Sequence, residues 1–161
     1  MKTAVVYYSQ SGNTEYAARK IAAILGADLI PIKPVKAFPD KGFRKFFWGG
    51  KSAVMGDRPA LEPVGFSPED YDAVILGTPV WAGTFTPPIR TFADLYRDAL
   101  GAKFLAFFAC MSGAGAEKAA ERLAKFLGID AFRATLALVD PKDKPDPEND
   151  GKIAAFCEKL K

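Results

Sequence analysis

The segment SQSGNT, residues 9–14, has the residue types and spacing of an anion-binding turn. It follows the apolar run AVVYY and precedes an alanine-rich helical pattern. A helix N-terminus presents unpaired N–H groups and a partial positive charge, so a turn leading into one attracts anions. Ser9, Ser11 and Thr14 add hydroxyl donors, and Gly12 permits close backbone approach. We therefore expect this loop to hold a phosphate monoester.

Other interpretations of this loop differ in how well they fit. The same serine, asparagine and threonine residues could simply cap the helix and close a turn. The loop contains no lysine or arginine, and the GxxxxGK[ST] pattern of nucleoside triphosphate sites is missing. No GxGxxG follows the first strand, which disfavours a dinucleotide fingerprint. The phosphate monoester and the simple helix cap both remain open at this point.

Histidine is absent from the sequence, and only two cysteines, Cys110 and Cys157, are present. The absence of histidine excludes Ser-His-Asp hydrolysis, Cys-His catalysis and histidine-ligated metals. A phosphatase loop CxxxxxR starting at Cys110 would need arginine where Ala116 stands. We therefore expect no catalytic residue, no metal site, a packed thiol at Cys110, and a reducing compartment.

Length and charge narrow the class of protein further. With 161 residues, 49% of them hydrophobic, the chain is predicted to form one domain over residues 1–161. No apolar run approaches the ~20 residues that span a bilayer, and no signal peptide is recognisable, so a cytoplasmic protein without membrane contact is expected. The net charge of +3 is spread over 22 basic and 19 acidic residues, which disfavours nucleic acid as a partner.

Apolar runs and helical periodicity alternate along the chain. Strands are predicted near residues 2–8, 27–32, 72–77, 103–109 and 131–139, with helical patterns between them and after the last. Gly26, Gly101 and Gly128 are expected to cap helices, and Thr86 followed by Pro87 to start one. A short helix is predicted within KGFRKFFWGGKSAVMG, and DPKDKPDPEND, residues 140–150, as a solvated loop. The continuously apolar strands indicate an α/β fold with a doubly wound parallel sheet, whose ligands bind at the carboxyl ends of the strands.

Three segments carry a resemblance to a known family. SQSGNT resembles the FMN phosphate loop of flavodoxins, with its pattern of roughly S/T-x-S/T-G-x-T. GTPVWAGTFTPP, residues 77–88, resembles the loop after the third strand in that family, and CMSGAGAEKA, residues 110–119, matches its second ring-contacting loop. The resemblance covers nearly the whole chain and implies a short-chain, flavodoxin-like domain of three layers. Its parallel sheet would have five strands in the order 2-1-3-4-5, and its cofactor would be FMN.

The resemblance also implies roles for individual residues. Trp81 would stack on the flavin ring, and the Ala82–Gly83 peptide would hydrogen-bond the flavin N5. The loop after the fourth strand has no tyrosine, so the other ring face would be open or covered by Trp48. The predicted cofactor-binding residues are Ser9, Gln10, Ser11, Gly12, Asn13, Thr14, Thr78, Pro79, Val80, Trp81, Ala82, Gly83, Cys110, Met111, Ser112, Gly113 and Gly115.

The segment around Trp48 is rich in aromatic and basic residues. Its aromatic side chains are most simply expected to pack on the sheet. Its cations place positive charge near the predicted site or on a rim facing a partner. The aromatic residues are Phe43, Phe46, Phe47 and Trp48, and the basic residues are Lys41, Arg44, Lys45 and Lys51.

Three functions are compatible with these features. The favoured one is an electron carrier that binds FMN and docks to redox partner proteins. The alternative is an FMN-dependent oxidoreductase that takes hydride from NAD(P)H and reduces quinones or other small acceptors. A third is a binding module of the same fold without flavin. A receiver domain is disfavoured, because Tyr8, Ser9 and Thr78 stand where it needs acidic residues. The chain is expected to be a monomer or a homodimer.

Overall fold

The computed structural model describes residues 1–39 and 42–161, with the backbone alone for residues 42–47. Five strands form one parallel sheet in the order β2-β1-β3-β4-β5. They are β1 Thr3–Tyr7, β2 Asp28–Pro31, β3 Ala73–Pro79, β4 Phe104–Met111 and β5 Thr135–Val139. This is the predicted strand order, and the α/β fold class is confirmed.

Six α-helices connect and cover these strands within the described residues. They are α1 Asn13–Leu25, α2 Gly42–Met55, α3 Pro87–Leu95, α4 Arg97–Gly101, α5 Ala116–Leu127 and α6 Glu148–Glu158. A 3₁₀ turn, Pro68–Asp70, precedes β3. Across the part of the chain that the structure describes, no helix has the length and apolar character needed to cross a bilayer.

The two central strands are buried on both faces, as their continuous apolar runs predict. One apolar layer lies between the sheet and α3 and α5, and the second between the sheet and α1 and α6. The register places Gly77 of β3 beside Phe108 of β4. A Cβ built on Gly77 would lie 2.1 Å from the Phe108 ring, so glycine here makes room for the aromatic side chain.

The predicted helix boundaries are mostly confirmed. Gly26 and Gly128 end α1 and α5 in the left-handed conformation, and Thr86 with Pro87 starts α3. The prediction for Gly101 is wrong, because Gly101 is the last residue of α4 and Ala102 is the cap. Strand β5 begins at Thr135 rather than at residue 131. The helix predicted in the long connection is present and spans 14 residues.

Candidate functional site

The loop at residues 9–14 connects β1 to α1 at the carboxyl edge of the sheet. Gly12 is the N-cap of α1, with φ of 97°, a conformation that side chains rarely adopt. The Ser9 Oγ accepts a hydrogen bond from the Glu15 N–H at 3.1 Å. Among the described residues, the N–H groups of Gly12, Asn13 and Thr14 have no acceptor. Ser9 therefore satisfies one N–H of the first helical turn, while the remaining N–H groups are available to an anion.

The side chain of Asn13 has partners in a distant loop. Its Oδ1 accepts the N–H groups of Lys142 and Asp143, at 2.9 and 3.2 Å. Its Nδ2 donates to Asp143 Oδ2 at 2.9 Å and to Ser11 Oγ at 3.2 Å. Asn13 is buried, and these bonds fix the loop after β5 against the loop after β1. Its side chain therefore has a structural role, and what it offers an anion is its backbone N–H.

The loop after β3 contains a tight reversal at residues 81–84. Trp81 and Thr84 exchange both backbone hydrogen bonds, at 3.0 and 3.1 Å. Ala82 and Gly83, the two central residues, have φ of 50° and 71°. Positive φ at both positions defines a type I′ turn. Below the turn, the buried Thr78 hydroxyl accepts the Thr86 N–H at 3.1 Å, which anchors the loop to the start of α3.

Trp81 is held at the edge of this turn by aromatic neighbours. Its ring packs edge-to-face against Tyr8 and Phe38, with centroids 5.8 and 5.2 Å apart. A Cβ on Gly49 of α2 would lie 3.2 Å from Trp81 Cε3, so the helix backbone lies close to the indole. The ring is half-buried. These contacts fix its orientation before any ligand binds.

The loop after β4 contributes Cys110, Met111 and Ser112, and Gly115 caps α5 with φ of 106°. Burial raises the pKa of the Cys110 thiol to about 12, although the Thr14 hydroxyl bonded to it acts in the opposite sense. A thiol with this pKa is protonated at neutral pH and is a poor nucleophile. Cys110 is therefore a packed residue, consistent with the expectation from the missing arginine.

The three loops surround one cavity of about 250 Å³ at the carboxyl edge of the sheet. It brings together eleven of the predicted residues: Gln10, Ser11, Asn13, Thr14, Pro79, Val80, Trp81, Ala82, Cys110, Met111 and Ser112. Six predicted residues do not line it: Ser9, Gly12, Thr78, Gly83, Gly113 and Gly115. Three of these residues support the loops without lining the cavity. Ser9 and Thr78 accept backbone hydrogen bonds, and Gly115 caps α5.

Three lining residues were missed by sequence reasoning: Gly50 of α2, and Asp140 and Asp143 after β5. The segment that holds the two aspartates was interpreted only as a solvated loop. Its position after a strand of the same parallel sheet could have indicated the site, because all these strands end at one edge. Lys142 of this loop extends its Nζ to within 3.0 Å of where a Gly12 Cβ would lie. The loop at residues 9–14 thus has a cation beside it that its own sequence lacks.

The side chains of the aromatic segment are described from Trp48 onward. Trp48 is 45% exposed and is not among the residues that line the cavity, whereas Gly50 is. The Lys51 Nζ lies 5.3 Å from the Trp48 ring centroid. The side chains of Lys41, Phe43, Arg44, Lys45, Phe46 and Phe47 lie outside the described residues.

A family model described as flavodoxin matches residues 2–133 of the chain. The chain belongs to the flavodoxin family. Several solved structures share its fold. A flavoprotein from Lactobacillus acidophilus NCFM, solved in complex with FMN, is 23% identical with a TM-score of 0.72, covering 94% of this chain and 97% of the other.

Two further structures extend the comparison. The apo-form of the Lactobacillus acidophilus flavoprotein, determined by NMR, has 23% identity and a TM-score of 0.64 and covers 92% of this chain and 95% of its own. Oxidised flavodoxin 2 from Bacillus cereus has 20% identity and a TM-score of 0.59, covering 99% and 97%. At these identities the similarity establishes the shared flavodoxin fold.

Proposed function

We propose that this flavodoxin-family protein binds FMN non-covalently and carries electrons between partner proteins. The observation that carries the proposal is that one cavity is lined both by the N-terminal turn of α1 and by Trp81. The first is a phosphate-binding element and the second an aromatic surface for a flavin ring. The loop at residues 9–14 would hold the phosphate, and the ring would lie between the loops at 78–83 and 110–115.

Several polar groups of the cavity fit a phosphorylated flavin, beside the carboxylates of Asp140 and Asp143 that also line it. The N–H groups of Gly12, Asn13 and Thr14 have no other acceptor in the described part of the chain, and Ser11 is exposed at the loop. Gln10 donates through Nε2 to the Pro39 carbonyl at 2.7 Å, but its Oε1 is buried without a partner in the described structure. A buried acceptor without a donor costs free energy, and a ligand hydroxyl would satisfy it.

Each loop would have a defined task toward the bound flavin. FMN supplies the one-electron and two-electron chemistry when bound. Trp81 would cover one ring face and exclude water from it, held by Tyr8 and Phe38. An apolar, water-poor surface disfavours negative charge beside it, so Trp81 would lower the potential of a couple whose reduced form is anionic. No protein side chain needs to transfer a proton, which suits a chain without histidine.

Fluorescence titration of the protein with FMN, repeated with riboflavin, tests this proposal. We expect FMN to bind at least about 10-fold more tightly, because only FMN carries the charged group for which the loop provides donors. Ser11→Ala should weaken FMN but not riboflavin, and Ser67→Ala, before the 3₁₀ turn, serves as a matched control. Equal affinity for the two flavins would contradict the role proposed for the loop.

A second candidate function is an FMN-dependent NAD(P)H oxidoreductase acting on quinones or other small acceptors. It is favoured by cationic side chains near the turn at Ala82, notably Arg90 and Arg122. Anaerobic stopped-flow mixing of the FMN-loaded protein with NADPH separates the two functions. Bleaching of the flavin absorbance within seconds, without another protein, would establish direct reduction. Unchanged absorbance after several minutes would support the carrier.

A further inference from the structure

A second cavity, of about 640 Å³, lies on the other side of the turn at residues 81–84. Three cationic side chains line it, Arg90 from α3 and Arg122 and Lys125 from α5, together with the aromatic rings of Phe85 and Phe126. Ala82 lines both this cavity and the one proposed for FMN. The two cavities are therefore neighbours across a single turn. We call this second one the cationic cavity.

The cations of this cavity are not ion-paired with a carboxylate among the described residues. Within the described residues, Arg90, Arg122 and Lys125 form no ion pair. The nearby Asp94 carboxylate is shared by Arg58 and Arg97, at 3.1 and 3.5 Å. Uncompensated like charges at close range repel one another. An anion in the cavity would therefore be attracted by all three groups.

Aromatic rings hold the Arg90 guanidinium in place. Its Cζ lies 4.5 Å from the Phe85 ring centroid and 4.9 Å from that of Phe126. Arg58 and Arg97 also lie over the Phe126 ring, at 5.7 and 4.4 Å. Burial and the charge of Arg58 lower the pKa of Arg90, and the Asp94 carboxylate acts in the opposite sense. An added anion would likewise favour the charged form. A planar guanidinium fixed in this way is suited to bidentate recognition of a phosphate.

Two arginines at or beside this cavity have N–H groups without an acceptor among the described residues. Arg122 donates to the Gly83 carbonyl through Nη1 at 3.2 Å, which uses one of its five N–H groups. Arg97 Nε, beside the Phe126 ring, is buried without an acceptor in the described structure. The volume of the cavity falls within the range of small-molecule sites. These features favour a ligand that carries several anionic oxygen acceptors.

We propose that the cationic cavity binds the phosphate groups of a nicotinamide dinucleotide. The guanidinium groups of Arg90 and Arg122 and the Lys125 ammonium bind the phosphate oxygens. The partly buried Phe126 ring gives the dinucleotide an apolar surface, and the shared position of Ala82 directs it toward the flavin site. The choice of a dinucleotide rests on the second candidate function, the FMN-dependent NAD(P)H oxidoreductase, whereas anion binding in the cavity stands apart from it.

Calorimetric titration of the FMN-loaded protein with NADP⁺, NAD⁺ and inorganic phosphate at low salt tests the proposal. We expect NADP⁺ to bind more tightly than inorganic phosphate, with an affinity that falls as salt is added. Arg90→Gln and Lys125→Gln should each weaken NADP⁺ about 10-fold, the effect of losing a hydrogen bond to a charged group. Lys125 is exposed, so its variant tests the site without disturbing the aromatic packing.

Arg133→Gln is the matched control for Arg90→Gln. Arg133 also lies over a phenylalanine ring, that of Phe104, at 5.0 Å. Arg133 precedes β5 and Phe104 begins β4, so the pair lies at the amino ends of the strands, away from the loops of the site. This variant should bind NADP⁺ like the wild type. Absence of NADP⁺ binding, or binding that both cavity variants leave unchanged, would overturn the proposal. Equal affinity for inorganic phosphate would overturn the dinucleotide as the ligand.

The same titrations on protein without added FMN separate this proposal from the FMN function. Flavin fluorescence reports FMN binding independently of the calorimetric signal. If FMN fails to bind while the Arg90→Gln and Lys125→Gln variants still weaken NADP⁺, the FMN function is wrong and the cationic cavity stands. If FMN binds and NADP⁺ does not, the carrier function stands and the cationic cavity is wrongly assigned.

Discussion

Asn13 and Asp143 are hydrogen-bonded side chain to side chain at 2.9 Å, although 130 residues separate them in the sequence. Together with the two bonds from the Lys142 and Asp143 N–H groups, this contact joins the first and last loops of the site. Asn13 is buried, so each lost partner leaves a polar group without compensation.

Replacing Asn13 by alanine should therefore lower the free energy of unfolding by about 2–4 kcal/mol, since two backbone N–H groups lose their acceptor. Urea unfolding followed by circular dichroism measures this loss. Asp143→Asn is the matched control, because its side-chain oxygen can still accept from Asn13 Nδ2. A loss from Asn13→Ala below about 0.5 kcal/mol, the range of ordinary surface substitutions, would contradict the anchoring role.

Gly77→Ala should destabilise the sheet strongly. The added Cβ would lie 2.1 Å from the ring of the fully buried Phe108, so the ring or the strands would have to shift within the core. Overpacking of a core costs about 1–3 kcal/mol or more. Urea unfolding again measures the effect. Gly101→Ala is the control, because no atom lies within 4 Å of its added Cβ, and its stability should change by less than about 0.5 kcal/mol. Wild-type stability of Gly77→Ala would contradict the close packing of β3 on β4.

The fold could be predicted from the sequence because its signals are local. Continuous apolar runs such as AVILG mark strands buried on both faces, and glycines such as Gly26 mark helix ends. Gly101 was misjudged because a short helix can tolerate glycine as its final residue, and only the backbone conformation decides which residue caps it. The flavodoxin pattern then gave the strand order, which apolar periodicity alone does not contain.

The candidate site could be predicted only in part, for a related reason. The loops after β1, β3 and β4 have recognisable motifs, and their residues line the cavity together. The roles of Asn13, Asp140 and Lys142 depend on contacts between loops far apart in sequence, which leave no local pattern. The charged residues of the segment after β5 are as typical of a solvent-exposed loop as of a binding site. The cationic cavity likewise combines residues of α3 and α5, and no motif links them.

Substitutions at Ala82 and Gly83 should have opposite effects on stability, because both residues have positive φ in the turn. Gly83→Ala should cost about 1 kcal/mol, because alanine is strained at φ of 71°. The added Cβ would meet only the Arg122 guanidinium, at 4.0 Å, so the cost is conformational rather than steric. Ala82→Gly relieves an existing positive φ of 50° and should be neutral or stabilising. Thermal unfolding of the two variants measures both effects, and equal destabilisation by both would rule out the type I′ turn.

Stability should fall at alkaline pH. Burial raises the pKa of Cys110 and of Tyr8 to about 12. In the unfolded chain these groups lose their protons near their ordinary pKa values of about 8.5 and 10. Between those values and about 12 the folded state holds more protons, so the free energy of unfolding decreases as pH rises, by up to about 1.4 kcal/mol per pH unit for each group.

Urea unfolding with reductant between pH 7 and 10.5 measures this decrease. Cys110→Ala and Cys110→Ser both remove the thiol, so both should show a shallower loss of stability between pH 9 and 10 than the wild type. The comparison of the two variants separates the titration from the change in packing at this position. An unchanged slope in both variants would show that Cys110 ionises equally in the folded and unfolded states.

Lys142→Gln should weaken FMN selectively, because its ammonium lies beside Gly12 in the loop proposed for the phosphate. Lys142 also pairs with Asp143 at 3.4 Å and is 46% exposed, so solvent screens its charge and the effect is modest. We expect a loss of about 3-fold in FMN affinity at low salt, which shrinks at high salt. Riboflavin, which has no phosphate, should bind unchanged. Lys152→Gln, on α6 and paired with Glu148, is the control. A parallel loss of riboflavin affinity would mean that Lys142 supports the loop rather than the phosphate.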